Sequence, residues 1–161
     1  MKLNHLIITA IFLVISPAIS LAERIEYPNG DVYEGETLEN TPRGFGVYTW
    51  ANQDQYIGDF YEGKKSGFGV FIRKEGCEIY QGTWANNKKN GGGVYFGKML
   101  EINRCQTFMG TWKDSTFLKR TDFPERHMYW VRLNRWLSKV KLLNITVTSP
   151  TSGTAKKFLD R

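Results

Sequence analysis

The sequence contains few of the side chains that most often carry catalysis or bind metals. Its 161 residues include two histidines and two cysteines, and one of the histidines, His5, lies in the apolar N-terminal segment. No residue near His127 in the sequence suggests a nucleophile and base arrangement. Two cysteines and one histidine are fewer than the four ligands of a usual structural zinc site. We therefore expect no catalytic residue, no metal ion and no cofactor.

Motifs for nucleotide or nucleic acid binding are also incomplete. The stretch from Gly92 to Lys98 fits the first seven positions of a P-loop, but Met99 stands where Ser or Thr would bind Mg²⁺. Carboxylates such as Glu34 and Glu36 lie on one face of a predicted strand and could work as a pair, but acidic residues in a repeat array are typical of a solvated face. The net charge is +6, but the aromatic residues lie in a net acidic segment, so we expect no nucleic acid partner.

One N-terminal stretch is apolar and uncharged. It runs for 17 residues from Leu6 to Ala22, follows Lys2, contains Pro17 and ends in small residues. This order predicts a signal peptide over residues 1–22 that is removed after Ala22, and hence a secreted or periplasmic protein. Because 17 residues are at the short end of what crosses a bilayer, an uncleaved N-terminal membrane anchor is the alternative.

Glycine and aromatic residues are abundant and recur at a regular spacing. Four times an aromatic residue is followed two positions later by glycine, at Tyr33-Glu34-Gly35, Tyr56-Ile57-Gly58, Tyr80-Gln81-Gly82 and Phe108-Met109-Gly110. The starts are 23, 24 and 28 residues apart. A period of this length indicates one small unit copied in series.

Each unit has the pattern of a β-hairpin. The aromatic-x-Gly start opens an alternating run, which is followed by a polar stretch and a Gly-x-Gly strand. The polar stretches, Asn40–Arg43, Glu62–Ser66 and Asn86–Asn90, are predicted turns. A lone hairpin is marginally stable, whereas stacked hairpins share one aromatic face. We therefore predict a mainly β fold, an elongated antiparallel sheet of stacked hairpins over residues 23–112.

These units resemble the MORN repeat, whose pattern runs Tyr-x-Gly-x-Trp, a basic turn and Gly-x-Gly-x-aromatic. Three nearly complete copies are visible, with partial copies at Tyr27–Asp31 and Phe108–Trp112. Thr37 and Phe60 stand where the pattern has Trp, and an insertion around Lys98–Arg104 lengthens the last period. The insertion is a departure from the regular spacing before the final hairpin.

The resemblance implies a non-catalytic binding or scaffold module, since MORN repeats are linked with protein partners and with phospholipid. A shallow groove lined by Tyr33, Tyr56, Tyr80 and Trp84 suits an extended protein partner or a second copy of the chain. We also expect these rings to stabilise the array. The alternative implied by the family is an accessory part of an enzyme that acts on lipid or cell-envelope material.

The C-terminal part, residues 113–161, carries the positive charge of the chain. It has 11 Lys or Arg against 4 Asp or Glu, whereas residues 23–112 have 10 against 12. Pro124–Leu143 is predicted to be an amphipathic helix, followed by a polar tail. Its apolar face contains Tyr129, Trp130, Leu133, Trp136, Leu137, Val140 and Leu143. Its basic face, with Arg132, Arg135 and Lys139, is a candidate site for an anionic lipid surface, while the helix could also cap the open sheet edge.

The two cysteines, Cys77 and Cys105, each precede a repeat start by three positions. In an exported chain an even number of cysteines indicates a disulfide. Equivalent positions of consecutive hairpins should lie about 9.5 Å apart, beyond the roughly 7 Å limit for a bridge. We nevertheless expect the bridge, because the insertion before Cys105 could fold back and close the distance.

Overall fold

The computed structural model describes residues 22–75, 77–99 and 104–121, and these form one antiparallel sheet of nine strands. The strands are β1 (Glu23–Glu26), β2 (Val32–Leu38), β3 (Thr41–Thr49), β4 (Gln55–Tyr61), β5 (Lys64–Ile72), β6 (Ile79–Ala85), β7 (Lys88–Met99), β8 (Arg104–Lys113) and β9 (Thr116–Arg120). They are ordered in the sheet as in the chain, which confirms the predicted array of hairpins. The predicted C-terminal helix and most of the predicted signal peptide lie outside the described residues.

Four hairpins are closed by tight two-residue turns at equivalent positions, Glu39-Asn40, Glu62-Gly63, Asn86-Asn87 and Asp114-Ser115. All eight residues have positive φ values, between 48° and 71°. Two successive left-handed residues are the signature of a type I′ turn, whose twist matches that of the flanking strands. The predicted polar stretches contain the second and third of these turns entirely and the first in part. Each stretch also extends into the next strand, which begins directly after the second turn residue.

A bulge follows the regularly spaced glycine in the first strand of the first three hairpins, β2–β3, β4–β5 and β6–β7. The register shifts after Gly35, Gly58 and Gly82. At the first two bulges the side chain accepts a hydrogen bond from the partner strand, Glu36 Oε2 from the Phe45 amide at 3.0 Å and Asp59 Oδ2 from the Phe68 amide at 3.2 Å. Glu36 therefore completes the backbone hydrogen bonding of a bulge, which corrects its assignment to a solvated face shared with Glu34.

The insertion lengthens the β7–β8 hairpin without disturbing its pairing. The two strands stay in register from Gly91 opposite Trp112 to Met99 opposite Arg104. The segment Gly92–Lys98 lies entirely within β7, so its match to a P-loop has no structural basis. The sheet also continues beyond Trp112, since β9 pairs with β8 and completes a fourth hairpin.

Strand alternation gives the sheet two different faces. The aromatic face contains the buried rings of Tyr33, Tyr56, Phe60, Tyr80, Trp84 and Trp112. The opposite face, here called the aliphatic face, contains Phe45, Val47, Ile57, Phe68, Val70, Ile72, Ile79 and Phe96, all buried. In the described part of the chain there is no helix long and apolar enough to cross a membrane.

Cys77 and Cys105 form a disulfide with a Cα–Cα distance of 6.2 Å. The separation expected from strand spacing was larger than the observed distance. Cys77 lies in the β5–β6 connection, before the first paired residue of β6, so the spacing between strands does not apply to it. β7 extends to Met99 and β8 begins at Arg104, so that Cys105, opposite Lys98, lies near that connection.

Candidate functional site

Each repeat tyrosine lies flat over glycines of the aromatic face. A Cβ atom added to Gly93 would lie 2.6 Å from a ring carbon of Tyr80, closer than real Cβ atoms approach their neighbours. Tyr33 and Tyr56 cover Gly46 and Gly69 in the same way. A side chain at any of these glycines would displace the ring, so the regular pairing of glycine with aromatic residues is a requirement of close packing.

The hydroxyl group of each tyrosine donates to the backbone carbonyl of the bulge residue in its own strand. The distances are 2.6 Å for Tyr33 to Glu36, 3.1 Å for Tyr56 to Asp59 and 3.2 Å for Tyr80 to Thr83. Burial is the main cause that raises the pKa of Tyr56 well above its ordinary value. The ring and the bulge therefore stabilise each other in each of these three copies.

The buried rings form a continuous column across the repeats. Tyr33, Phe60, Tyr56, Trp84, Tyr80 and Trp112 contact one another in this order, with centroid distances of 5.0 to 5.2 Å and interplanar angles of 76° to 88°. Edge-to-face contacts of this kind are favourable beyond their buried area. We call this set the inner column.

The burial of the inner column corrects the predicted role of four residues. Tyr33, Tyr56 and Tyr80 are 0 % exposed and Trp84 is 6 % exposed, so they offer almost no surface to a partner. Their role is the structural one. The other predicted binding residues, Arg132, Arg135 and Lys139, lie outside the described residues.

A second set of rings lies beside the inner column and is only partly buried. This outer column consists of Tyr27, Tyr48, Trp50, Phe71, Tyr95 and Phe108. Neighbouring rings are in contact, for example Tyr48 and Trp50 at 5.0 Å, Trp50 and Phe71 at 5.7 Å, and Tyr95 and Phe108 at 5.3 Å. The rings expose an apolar surface that runs along the sheet.

Loop carboxylates hold the outer column in place. Asp31 accepts hydrogen bonds from the Tyr48 hydroxyl at 2.6 Å and from the Ala51 amide at 2.9 Å. The hydrogen bond from Tyr48 is the main cause that lowers the pKa of the Asp31 carboxyl group. Asp54, one repeat later, accepts from the Lys74 amide at 2.8 Å. Each carboxylate thus links its loop to the loop of the next copy, and the outer rings are pre-oriented.

Lys65 lies between the two columns and is surrounded by aromatic rings. Its Nζ atom is 4.8 Å from the ring centre of Trp50, 4.9 Å from that of Trp84 and 5.6 Å from that of Tyr56. No carboxylate among the described residues forms a salt bridge with it. Burial, together with the nearby charge of Lys89, lowers the pKa of Lys65 to about 8. The side chain is therefore a desolvated cation in an aromatic cage, available to an anionic group.

Lys89 occupies the equivalent position in the next copy. Its Nζ atom lies 5.0 Å from the ring centre of Tyr80 and 4.9 Å from that of Tyr95. It also forms an ion pair with Glu78 at 3.4 Å. Burial lowers the pKa of Lys89, and the Glu78 carboxylate opposes that shift. The two lysines therefore differ, because Lys89 already has an anionic partner.

Sequence reasoning did not identify these lysines, although a signal for them exists. Lys65 and Lys89 each follow the repeat tyrosine by nine positions, and Pro42 and Phe117 occupy the same position in the first and last copies. A fixed offset within a repeat assigns a residue to one face of the sheet. The interpretation of the lysines as part of a basic turn overlooked that offset.

Comparison with known families agrees with this division into copies. The family model of the MORN repeat matches residues 33–55, 56–78 and 80–98. The three matches contain all but one or two terminal residues of the hairpins β2–β3, β4–β5 and β6–β7. No curated protein is similar enough to match the chain.

Proposed function

Residues 33–98 are three consecutive MORN repeats, and from this premise we propose that the outer column and Lys65 form the binding surface of a non-catalytic scaffold module. MORN repeats are generally binding or scaffold modules. The surface is apolar, elongated and only partly buried, which suits an extended segment of a protein partner. An accessory role beside a catalytic protein is the alternative function.

The observation that carries this proposal is the aromatic cage of Lys65. A desolvated cation without a carboxylate partner in the described sheet favours a ligand that supplies a carboxylate, while Trp50 and Phe71 favour apolar side chains next to it. We therefore propose a partner segment in which acidic and apolar side chains alternate. A second copy of the chain is a competing partner, and an anionic lipid surface acting through Arg132, Arg135 and Lys139 is another.

We also propose that the protein is exported. The order of charge, apolar run and small residues over residues 1–22 supports a cleaved signal. The disulfide between Cys77 and Cys105 supports an oxidising compartment, because such bonds persist there and are rare in reducing ones. The partner would then be a secreted, periplasmic or cell-surface protein.

Selection of peptides tests the proposed ligand chemistry. Short random peptides displayed on phage are selected for binding to the mature protein at pH 7. Binding of the selected peptides to a Trp50→Ala variant is then measured. We expect enriched peptides that combine Asp or Glu with apolar residues and that bind the variant weakly. Enrichment of basic peptides, or equal binding to both proteins, would contradict the proposal. Sedimentation with anionic vesicles reports the lipid alternative separately.

The affinity for such an acidic peptide should depend on pH. Lys65 is charged below its pKa of about 8, so affinity is expected to be constant below that value and to fall as pH rises through it. Lys65→Met should weaken binding at pH 7 by roughly tenfold or more, the effect of one hydrogen bond to a charged group. The variant should also show no fall in affinity between pH 7 and 9 when titrated calorimetrically.

Lys64→Met is the matched control, because Lys64 is the exposed neighbour of Lys65 in β5. It should retain both the affinity and the pH dependence of the unmodified protein. A fall in affinity of the same steepness in Lys65→Met would assign the titration to another group.

A further inference from the structure

We propose that the C-terminal segment, residues 122–161, covers the aliphatic face of the sheet through its predicted helix over 124–143. This interaction is internal to the chain and independent of partner binding on the aromatic face. It also differs from the predicted capping of a sheet edge, since it places the helix across the strands.

The burial of the aliphatic face requires a second layer. Eight apolar side chains on this face are between 1 % and 7 % exposed. The described residues belong to one sheet with its turns and connections, and an apolar face of a single sheet is stable only when another element covers it. The inner column cannot cover these residues because it lies on the opposite face. Another part of the chain, or another molecule, must supply the cover.

The covered area extends to the end of the sheet from which the C-terminal segment departs. Thr111 in β8 and Thr121 directly after β9 lie on the aliphatic face, and the hydroxyl oxygens of both are buried. Thr121 is the last residue before the segment begins, and its amide donates to the Met109 carbonyl at 3.1 Å. The chain therefore leaves the sheet beside the face that needs covering.

The predicted helix has the length and the polarity to cover that face. Twenty residues in a helix, 124–143, extend for about 30 Å, and the six strand spacings from β3 to β9 amount to about 29 Å. A helix that starts near β9 can therefore run back to β3. Its seven apolar side chains would lie on Val47, Ile57 and Val70, and its basic face would remain in solvent. The N-terminal segment is a poorer candidate, since it precedes β1 at the other end of the sheet and is predicted to be removed.

Photocrosslinking of the whole mature chain tests this arrangement. Trp136, on the apolar side of the predicted helix, is replaced by p-benzoylphenylalanine, and Arg135 is replaced in a matched control. After irradiation, we expect an intramolecular crosslink from position 136 to Val47, Ile57, Val70 or another residue of the aliphatic face, mapped to the single residue by fragmentation mass spectrometry. The control should give at least tenfold less of this product.

Three results would overturn the proposal: a crosslinked dimer as the main product, a crosslink to residues of the outer column such as Tyr48 or Phe71, or equal yields at the two positions. A dimer would assign the face to a second copy of the chain. If the Trp136 variant does not give the circular dichroism spectrum of the unmodified protein, the same replacement at Leu137 serves in its place. Partner binding is measured separately, so its failure has no bearing on this test.

Discussion

Replacement of Trp84 by alanine is expected to lower the free energy of unfolding by roughly 3 to 5 kcal/mol. The indole ring is 6 % exposed and contacts the rings of Tyr56 and Tyr80, each at 5.2 Å. Its Nε1 atom also donates to the Gly69 carbonyl at 3.1 Å. Truncation therefore removes one ring that joins two copies of the inner column and leaves a buried carbonyl without that donor. Urea denaturation followed by circular dichroism measures the loss.

Two further variants identify the cause of the loss. Tyr61→Ala removes a ring that is 51 % exposed, so its effect should stay within about 0.5 kcal/mol. Trp84→Phe retains a ring but not the hydrogen bond, and should cost about 1 to 3 kcal/mol. If Trp84→Ala were no more destabilising than Tyr61→Ala, the inner column would not be what holds neighbouring copies together.

Loss of the disulfide should produce the second large effect. The bond between Cys77 and Cys105 closes a loop of 28 residues, for which the loop-entropy estimate gives about 3 to 4 kcal/mol of stabilisation. The Cys77→Ser, Cys105→Ser double variant should therefore unfold at lower urea concentration. The slope of the transition should increase, because the unfolded chain without the bond is less compact and exposes more surface.

The natively exported protein provides the control for the disulfide. The mass of the intact protein should correspond to a chain that begins at Glu23. Reduction should increase this mass by that of two hydrogens. Reduction of the unmodified protein should lower stability as much as the double substitution does. Two titratable thiols in the folded, exported protein would contradict the bridge, and an intact Met1 would contradict cleavage of the signal.

Much of the fold could be predicted from glycine and aromatic spacing, and the family prediction is confirmed for residues 33–98. Period-two alternation predicts strands, and the recurrence of Tyr-x-Gly predicts that each hairpin repeats its neighbour. The bulge at Glu36 could not be predicted in this way, because one extra residue breaks the alternation on which the prediction depends. The position of Cys77 could not be predicted for a related reason, because this residue lies in a connection to which strand spacing does not apply.

The binding surface was less predictable than the fold. Tyr56 and Trp50 are both aromatic residues of the repeat, yet the first is fully buried over glycine and the second is only partly buried. Tyr56 is covered by Phe60 of its own copy and by Trp84 of the next copy, and this three-dimensional arrangement is not evident from one copy alone. The cage of Lys65 likewise requires rings from different strands to converge on one atom.

A comparison of Tyr56→Ala with Trp50→Ala tests the division between structural and binding rings most directly. For each variant, the melting temperature and the affinity for a selected acidic peptide are measured under the same conditions. The account predicts that Tyr56→Ala lowers the melting temperature strongly, whereas Trp50→Ala lowers it by a few degrees at most and weakens the affinity at least tenfold. Unchanged affinity in a folded Trp50→Ala variant would contradict the claim that the outer column is the binding surface.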